Sequence, residues 1–273
     1  MKTVTSKDGT KIAYDVYGQG PAIILVDGAS ATRAFGGSTE LAQSLATSGF
    51  TTYAYDRRTR GESGDTQPYA VSREIEDIEA LIDLAGGTAH LYGISSGGAL
   101  ALEAAAVLGK KVNKLAVYEV PYMGADSTAS VPAPEKFAEL KQLVKDGRNG
   151  DAFVSYMGNF LPKEMLAGMR QAPFWPMMEA VAPSLVNDAT IMFGRNFTPQ
   201  QELLEKIAVP VLALSGDVSM PGGGSAFMPK AAEAIANMVQ HGKYQLLKGQ
   251  SHDVNVEVIA PVLSEFYGNE RIL

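Results

Sequence analysis

Short apolar runs alternate with helix-length runs along most of the chain, and this alternation limits the fold more than any other feature. Strand-like stretches stand at "AIILV" (22–26), "FTTYAYD" (50–56), "AHLYGI" (89–94), "KLAVYE" (114–119), "VPVLALSG" (209–216) and "YQLLKG" (244–249). Helical patterns fall near 36–48, 73–84, 97–108, 226–239 and 255–267. Strand and helix in turn predict a mainly parallel sheet with helices on both faces, because parallel neighbours need a crossover to connect them. One hairpin precedes the alternation, with Asp8-Gly9 joining Val4-Thr5 to "KIAYDVY".

Between Pro121 and Pro210 the alternation stops. This stretch reads as helices and loops broken by proline, and it holds seven of the eleven methionines, six of the ten phenylalanines and the only tryptophan, Trp175. We read residues 122–207 as a helical cap inserted into a core domain made of residues 1–121 and 208–273. Methionine adapts to irregular apolar ligands, so Met123 and Trp175 are candidate substrate-binding residues. The same residue types at helical spacing also build ordinary core, and both readings stand at this point. "GGG" at 222–224 lacks the Lys and Ser/Thr of a phosphate loop and reads as plain loop.

Composition removes several partners. A net charge of −7 argues against nucleic acid, which needs clustered Lys and Arg, and the one dense basic run, "DRRTR" (56–60), is too short to change that. With no cysteine, neither a disulfide framework nor thiolate chemistry is available. "MKTVTSKDGTKIAYD" has no apolar core of a signal peptide, and no apolar run reaches the roughly 18 residues of a membrane span. The expectation is a soluble, cytoplasmic protein without a membrane partner. Nothing in the sequence sets its oligomeric state.

Gly93-Ile94-Ser95-Ser96-Gly97 fits G-x-S-x-G and lies between a predicted strand and a predicted helix. Such a turn forces its serine into strained backbone angles and raises the hydroxyl above the sheet edge, while small flanking residues let strand and helix approach. Ser95 is therefore the candidate nucleophile. Ser96 would offer its backbone N–H, at a helix N-terminus, to an oxyanion hole. Of three histidines, His90 opens the nucleophile strand at the wrong end of the sheet, and His241 reads as a surface residue after a helix. His252 follows the last strand at the carboxyl end, where Ser95 also lies, and is the candidate base. Their scatter lacks the spacing of a zinc site.

With these residues in place, the chain resembles the α/β-hydrolase family over nearly its whole length. "VDGAS" (26–30) is similar to the family's oxyanion loop, "YDRRTRGESG" (55–64) to its D-x-R-G-x-G-x-S stretch, "GISSGG" (93–98) to its elbow and "KGQSHDV" (248–254) to its histidine loop. The resemblance implies a Ser-His-acid triad, acyl-enzyme chemistry, no cofactor, no metal and a variable cap that selects substrate. It gives Ala29 as the second oxyanion donor through its backbone N–H. Two positions depart from the pattern. Asp27 stands where the family usually has His, and Thr59 replaces a glycine. A carboxylate aimed at a developing oxyanion would oppose it, so Asp27 is expected to be turned away and hydrogen-bonded.

The family's usual acid position, three residues beyond the glycine of "PVLALSG", is Ser219, which cannot serve. Asp217 is one alternative. The other is Glu119, 24 residues after Ser95 at the end of "KLAVYE", where haloalkane dehalogenases and certain lactone-cleaving hydrolases of the family place theirs. An unpaired carboxylate at the end of an apolar strand would be costly to bury, so Glu119 is our choice. The expected activity is cleavage of an uncharged, fairly hydrophobic carboxylic ester or lactone. Two alternatives remain: a cofactor-free haloperoxidase or perhydrolase with the same triad, and a non-catalytic small-molecule receptor on the same fold.

Overall fold

The computed structural model describes residues 2–123, 132–193, 197–221 and 225–268. The glycine triplet at 222–224 lies outside the described residues. Strands β1 (Lys2–Thr5) and β2 (Lys11–Gly18) form the expected hairpin, with Thr5 opposite Lys11. Its turn holds because the Asp8 carboxylate accepts the Thr10 N–H at 3.0 Å and Gly9 takes a φ of +88°.

The alternation follows as β3 (Ala22–Val26), α1 (Thr39–Thr47), β4 (Thr51–Tyr55), α2 (Val71–Leu84), β5 (Ala89–Ile94), α3 (Ser96–Leu108) and β6 (Val112–Tyr118). Among the described residues, helices then run without a strand: α4 (Pro134–Lys145), α5 (Asn149–Met157), α6 (Lys163–Met169), α7 (Trp175–Val181), α8 (Leu185–Phe193) and α9 (Gln201–Leu204). The chain returns to the sheet with β7 (Val211–Gly216), α10 (Met228–Met238), β8 (Gly242–Leu247) and α11 (Val256–Gly268). Strand order is β1-β2-β4-β3-β5-β6-β7-β8, antiparallel as far as β4 and parallel from there on.

Both faces of the sheet are covered. Ile24 and Val26 point into one apolar layer with Ile78 of α2, Leu100 of α3 and Ile235 of α10. Ile23 and Leu25 point into the other, with Leu45 of α1 and Leu263 of α11. A central strand buried on both faces must be apolar at both phases of its two-residue period, which is why β3 reads as an unbroken run. The helices between β6 and β7 have a core of their own, built on Leu143, Phe153, Leu166, Met178 and Leu185. Among the described residues, no helix is long and apolar enough to cross a membrane.

This topology gathers particular loops. Val26 lies beside Gly93, Ile94 beside Tyr118, and Gly216 beside Leu247, so the loops after β3, β5, β6, β7 and β8 leave one common edge. From β3 the chain steps to β4 on one side and returns to β5 on the other. A crevice opens at such a reversal, outside the carboxyl ends of the strands.

Candidate active site

Ser95 sits between β5 and α3 at φ 56°, ψ −130°. A serine rarely adopts such angles unless its surroundings impose them. Here its N–H donates to the Tyr118 carbonyl and its own carbonyl accepts the Gly98 N–H, each at 2.9 Å. The flanking glycines are required by space. A Cβ on Gly97 would lie 2.3 Å from the carbonyl oxygens of both Val26 and Asp27, and one on Gly93 would lie 2.7 Å from the Gly97 oxygen.

Glu119 comes directly after β6, also at positive φ (45°), with its N–H on the Leu214 carbonyl at 2.9 Å. Its Oε1 accepts the Gly216 N–H at 3.0 Å, and its Oε2 lies 2.7 Å from Nδ1 of His252. The carboxylate is buried, whereas the imidazole keeps 25% of its side-chain surface exposed. Tyr118 pins the histidine loop by donating its hydroxyl to the Ser251 carbonyl at 2.5 Å. The structure thus brings Glu119 against His252. Asp217 is exposed and accepts the Gly249 N–H at 2.6 Å instead.

The other histidines lie elsewhere. His90 is buried at the opposite end of the sheet against the Tyr267 ring, with centroids 4.8 Å apart. Burial, with a small contribution from Lys114, lowers its pKa to about 4. His241 is exposed. Among the described residues, no group of three or more His, Asp or Glu could hold a metal ion.

Ser95 and His252 line one cavity of about 250 Å³, together with Gly28 and Ala29 of the loop after β3. Its apolar walls are Tyr156, Met157 and Phe160 from the helical segment and Met220 and Met228 from beyond β7. The two side chains expected from the sequence are not among them, and that expectation is corrected. Met123 is buried in the main core just after β6, its N–H on the Phe197 carbonyl at 2.6 Å. Trp175 turns into the helical segment's own core, edge-on to Phe153 at 5.5 Å. A large ring at the start of α7 fills the space between helices, which a short helix needs more than a cavity does.

Asp27 is turned away as expected. It is buried, and its Oδ1 accepts both the N–H (2.9 Å) and the hydroxyl (2.5 Å) of Ser38. Burial outweighs these bonds and pushes its pKa up to about 6. The next residue approaches Ser95 closely: a Cβ on Gly28 would stand 3.0 Å from that of Ser95.

The basic run lies in the interior. Arg57, Arg58 and Arg60 are each buried to 1% exposure or less. Arg58 forks onto Asp77 (2.8 and 2.7 Å) and also reaches Asp8. Arg57 forks onto Glu74 (2.7 and 2.8 Å) and donates to Asp188 at 2.8 Å, and Arg60 donates to the other oxygen of Asp188 at 2.5 Å. Burial alone would raise the Asp188 pKa, but Arg60 and Arg57 hold it below the ordinary carboxylate value. The Asp188 carboxylate also accepts the Ser96 hydroxyl at 2.7 Å. Sequence reasoning missed Asp188. The available signal was the position of the arginines, directly after an apolar strand at a buried sheet edge, where guanidiniums demand carboxylates.

Comparison with known proteins agrees with this architecture. The model of a family described as "Alpha/beta hydrolase family" matches residues 23–262. The chain is 43% identical to an alpha/beta hydrolase from Sphaerobacter thermophilus, with a TM-score of 0.87 and coverage of 97% of this chain and 100% of that one. A thermophilic esterase from Thermogutta terrifontis is 18% identical at a TM-score of 0.73, covering 98% and 97%. The enol-lactonase from Burkholderia xenovorans is 17% identical at 0.73, covering 98% and 100%. At those two identities the likeness is one of fold.

Proposed function

Since the chain belongs to the alpha/beta hydrolase family, we propose that it is a serine hydrolase that cleaves small, uncharged carboxylic esters or lactones through an acyl-enzyme. The observation that carries this reading is the 2.7 Å contact between Glu119 and His252 Nδ1, with His252 and Ser95 on the wall of one apolar cavity. A carboxylate on Nδ1 fixes the tautomer that leaves Nε2 free to accept a proton, and it stabilises the imidazolium once formed.

In this mechanism Ser95 Oγ bonds to the substrate carbonyl carbon while its proton passes to His252 Nε2. The carbonyl oxygen becomes an oxyanion between the backbone N–H groups of Ala29 and Ser96. The C–O bond to the leaving group then breaks, and the alkoxide takes the proton from His252. Water repeats the sequence on the acyl-enzyme: His252 removes its proton, its oxygen bonds to the acyl carbon, and Ser95 recovers its hydrogen as the acid leaves.

Residues 122–207 act as the cap in this reading, contributing Tyr156, Met157 and Phe160 to the acyl wall. A volume of 250 Å³ lies below the range of about 300–1,000 Å³ typical of drug-sized ligands, so short acyl groups should be preferred. The test combines fluorophosphonate labelling with p-nitrophenyl esters of graded length and a set of lactones. Labelling at Ser95 with fastest turnover on short uncharged substrates is the expected result. A folded protein that neither labels nor turns over any of them would leave the receptor alternative.

A further inference from the structure

We infer that Asp188, carried on α8, is a positioning residue that sets both oxyanion donors from one carboxylate. This inference rests on the serine-hydrolase reading. Three buried donors converge on Asp188: Arg57 Nη1 at 2.8 Å, Arg60 Nη2 at 2.5 Å and Ser96 Oγ at 2.7 Å. Each leads back to the oxyanion hole.

Arg57 Nη1 also donates to the Asp27 carbonyl at 3.1 Å, and Arg60 Nη1 donates to the carbonyls of Gly28 (2.5 Å) and Ala31 (3.3 Å). The Gly28 carbonyl and the Ala29 N–H are opposite ends of one planar trans peptide. Holding the oxygen on Arg60 therefore aims the Ala29 N–H the other way, and Ala29 lines the cavity. The second donor obeys the same rule. The Ser95 carbonyl is held inside α3 by the N–H groups of Gly98 (2.9 Å) and Ala99 (3.2 Å), so the Ser96 N–H at the other end of that peptide points out of the helix. The Ser96 side chain is then tied to Asp188. Loop and elbow are fixed to the same two oxygen atoms.

The charges match. Arg57 and Arg60 face Glu74 and Asp188, all four buried to 1% exposure or less. Donors aimed before the charge develops need no reorganisation during reaction, and a displacement of about 1 Å can cost on the order of 10²-fold. Because Asp188 belongs to the helical segment and its partners to the sheet loops, the docking of α8 and the aim of the oxyanion donors are one event.

The test is Asp188→Asn, read by circular dichroism, by kcat and KM separately, by the pH–rate profile and by inhibition with a trifluoromethyl ketone. That ketone adds Ser95 Oγ to its carbonyl carbon, passes the proton to His252 and leaves an oxyanion in the hole. We expect a folded variant whose kcat falls roughly 10- to 100-fold with KM within about threefold. Ketone affinity should fall by the same factor as kcat, with the pH midpoint unmoved. Unchanged kcat in folded protein, a kcat loss without loss of ketone affinity, or a shifted pH midpoint would each overturn the assignment. If Asp188→Asn does not fold, Ser96→Ala decides. It cuts the link to the elbow and leaves both guanidiniums paired, so parallel losses of about 3- to 10-fold support the inference and unchanged values overturn it. A wild-type chain that never labels at Ser95 would instead fail the underlying reading.

Discussion

Two ionic clusters flank Ser95, and they are built in opposite ways. On one side a single carboxylate, Glu119, meets a single imidazole whose edge is open to the cavity. On the other, guanidiniums and carboxylates from the loop after β4, from α2 and from α8 close on each other without exposed surface. Under the proposed mechanism the first must change charge during a turnover, and its imidazole has room and only one strong partner. The second is useful only if its charge never changes, so every group is matched and buried. A buried ion pair contributes little net stability against an apolar replacement, yet breaking it by removing one partner typically costs about 3–5 kcal/mol. The closed cluster thus resists piecemeal change, whereas substitutions in the open pair should affect rate before stability.

The largest test of this contrast is Ser95→Ala. It removes a small hydroxyl beside the open pair and leaves the closed cluster intact, so turnover should drop by at least about 10⁴-fold while the melting temperature holds. Second is Glu119→Gln, which keeps the size of the side chain but presents the wrong partner to the imidazolium. Turnover should fall roughly 10²- to 10⁴-fold, and Asp217→Asn, measured beside it, should stay within about tenfold. Loss of melting temperature with activity retained would make Glu119 structural and erase the contrast.

Between the clusters lies Asp27, a buried carboxyl whose pKa is about 6 instead of 3.8. From pH 3.8 to 6 the folded chain keeps a proton that the unfolded chain has released. Its stabilising effect is complete below that window and is lost as pH rises through it, on the order of 3 kcal/mol in all. Asp27→Asn should flatten the dependence of melting temperature on pH in this range and raise stability at neutral pH. A parallel, unshifted curve would show that Asp27 is ionised throughout. The smallest effect should come from Phe160, which lines the cavity and belongs to neither cluster. Phe160→Ala should shift the preference between short and long acyl chains by roughly 1–3 kcal/mol, about 5- to 150-fold in the ratio of kcat/KM. An unchanged ratio would remove it from the acyl wall.

The same contrast divides what could be read from the sequence. Ser95 was visible because its turn admits glycine alone at fixed offsets, and Glu119 because a carboxylate ending an apolar strand requires a partner. The strands of the sheet carried their burial in their composition, so β3 and β5 were found to the residue. Asp188 was not visible, since one acid in "SLVNDATIMF" looks like any exposed helix position and its partners stand 92 to 131 residues away. The arginine run could be counted, but burial is not a property of a count. The cavity wall was misplaced for a related reason. Rare large residues drew attention to Trp175, whereas Met220 and Met228 reach the site from the connection between β7 and β8.

The separation of Arg60 from Asp188 also bears on the birth of the protein. Arg57 finds Glu74 only 17 residues downstream, but the carboxylate that receives Arg60 is synthesised 128 residues later, and His252 follows Glu119 by 133. A chain leaving the ribosome therefore holds Ser95 long before it holds Asp188 or His252. Stalled or truncated products that stop before α8 would carry an intact G-x-S-x-G turn without Asp188 and without His252. They should be inert toward fluorophosphonate, so reactivity with the label would report that α8 and the His252 loop have been made and have packed against the two halves of the sheet.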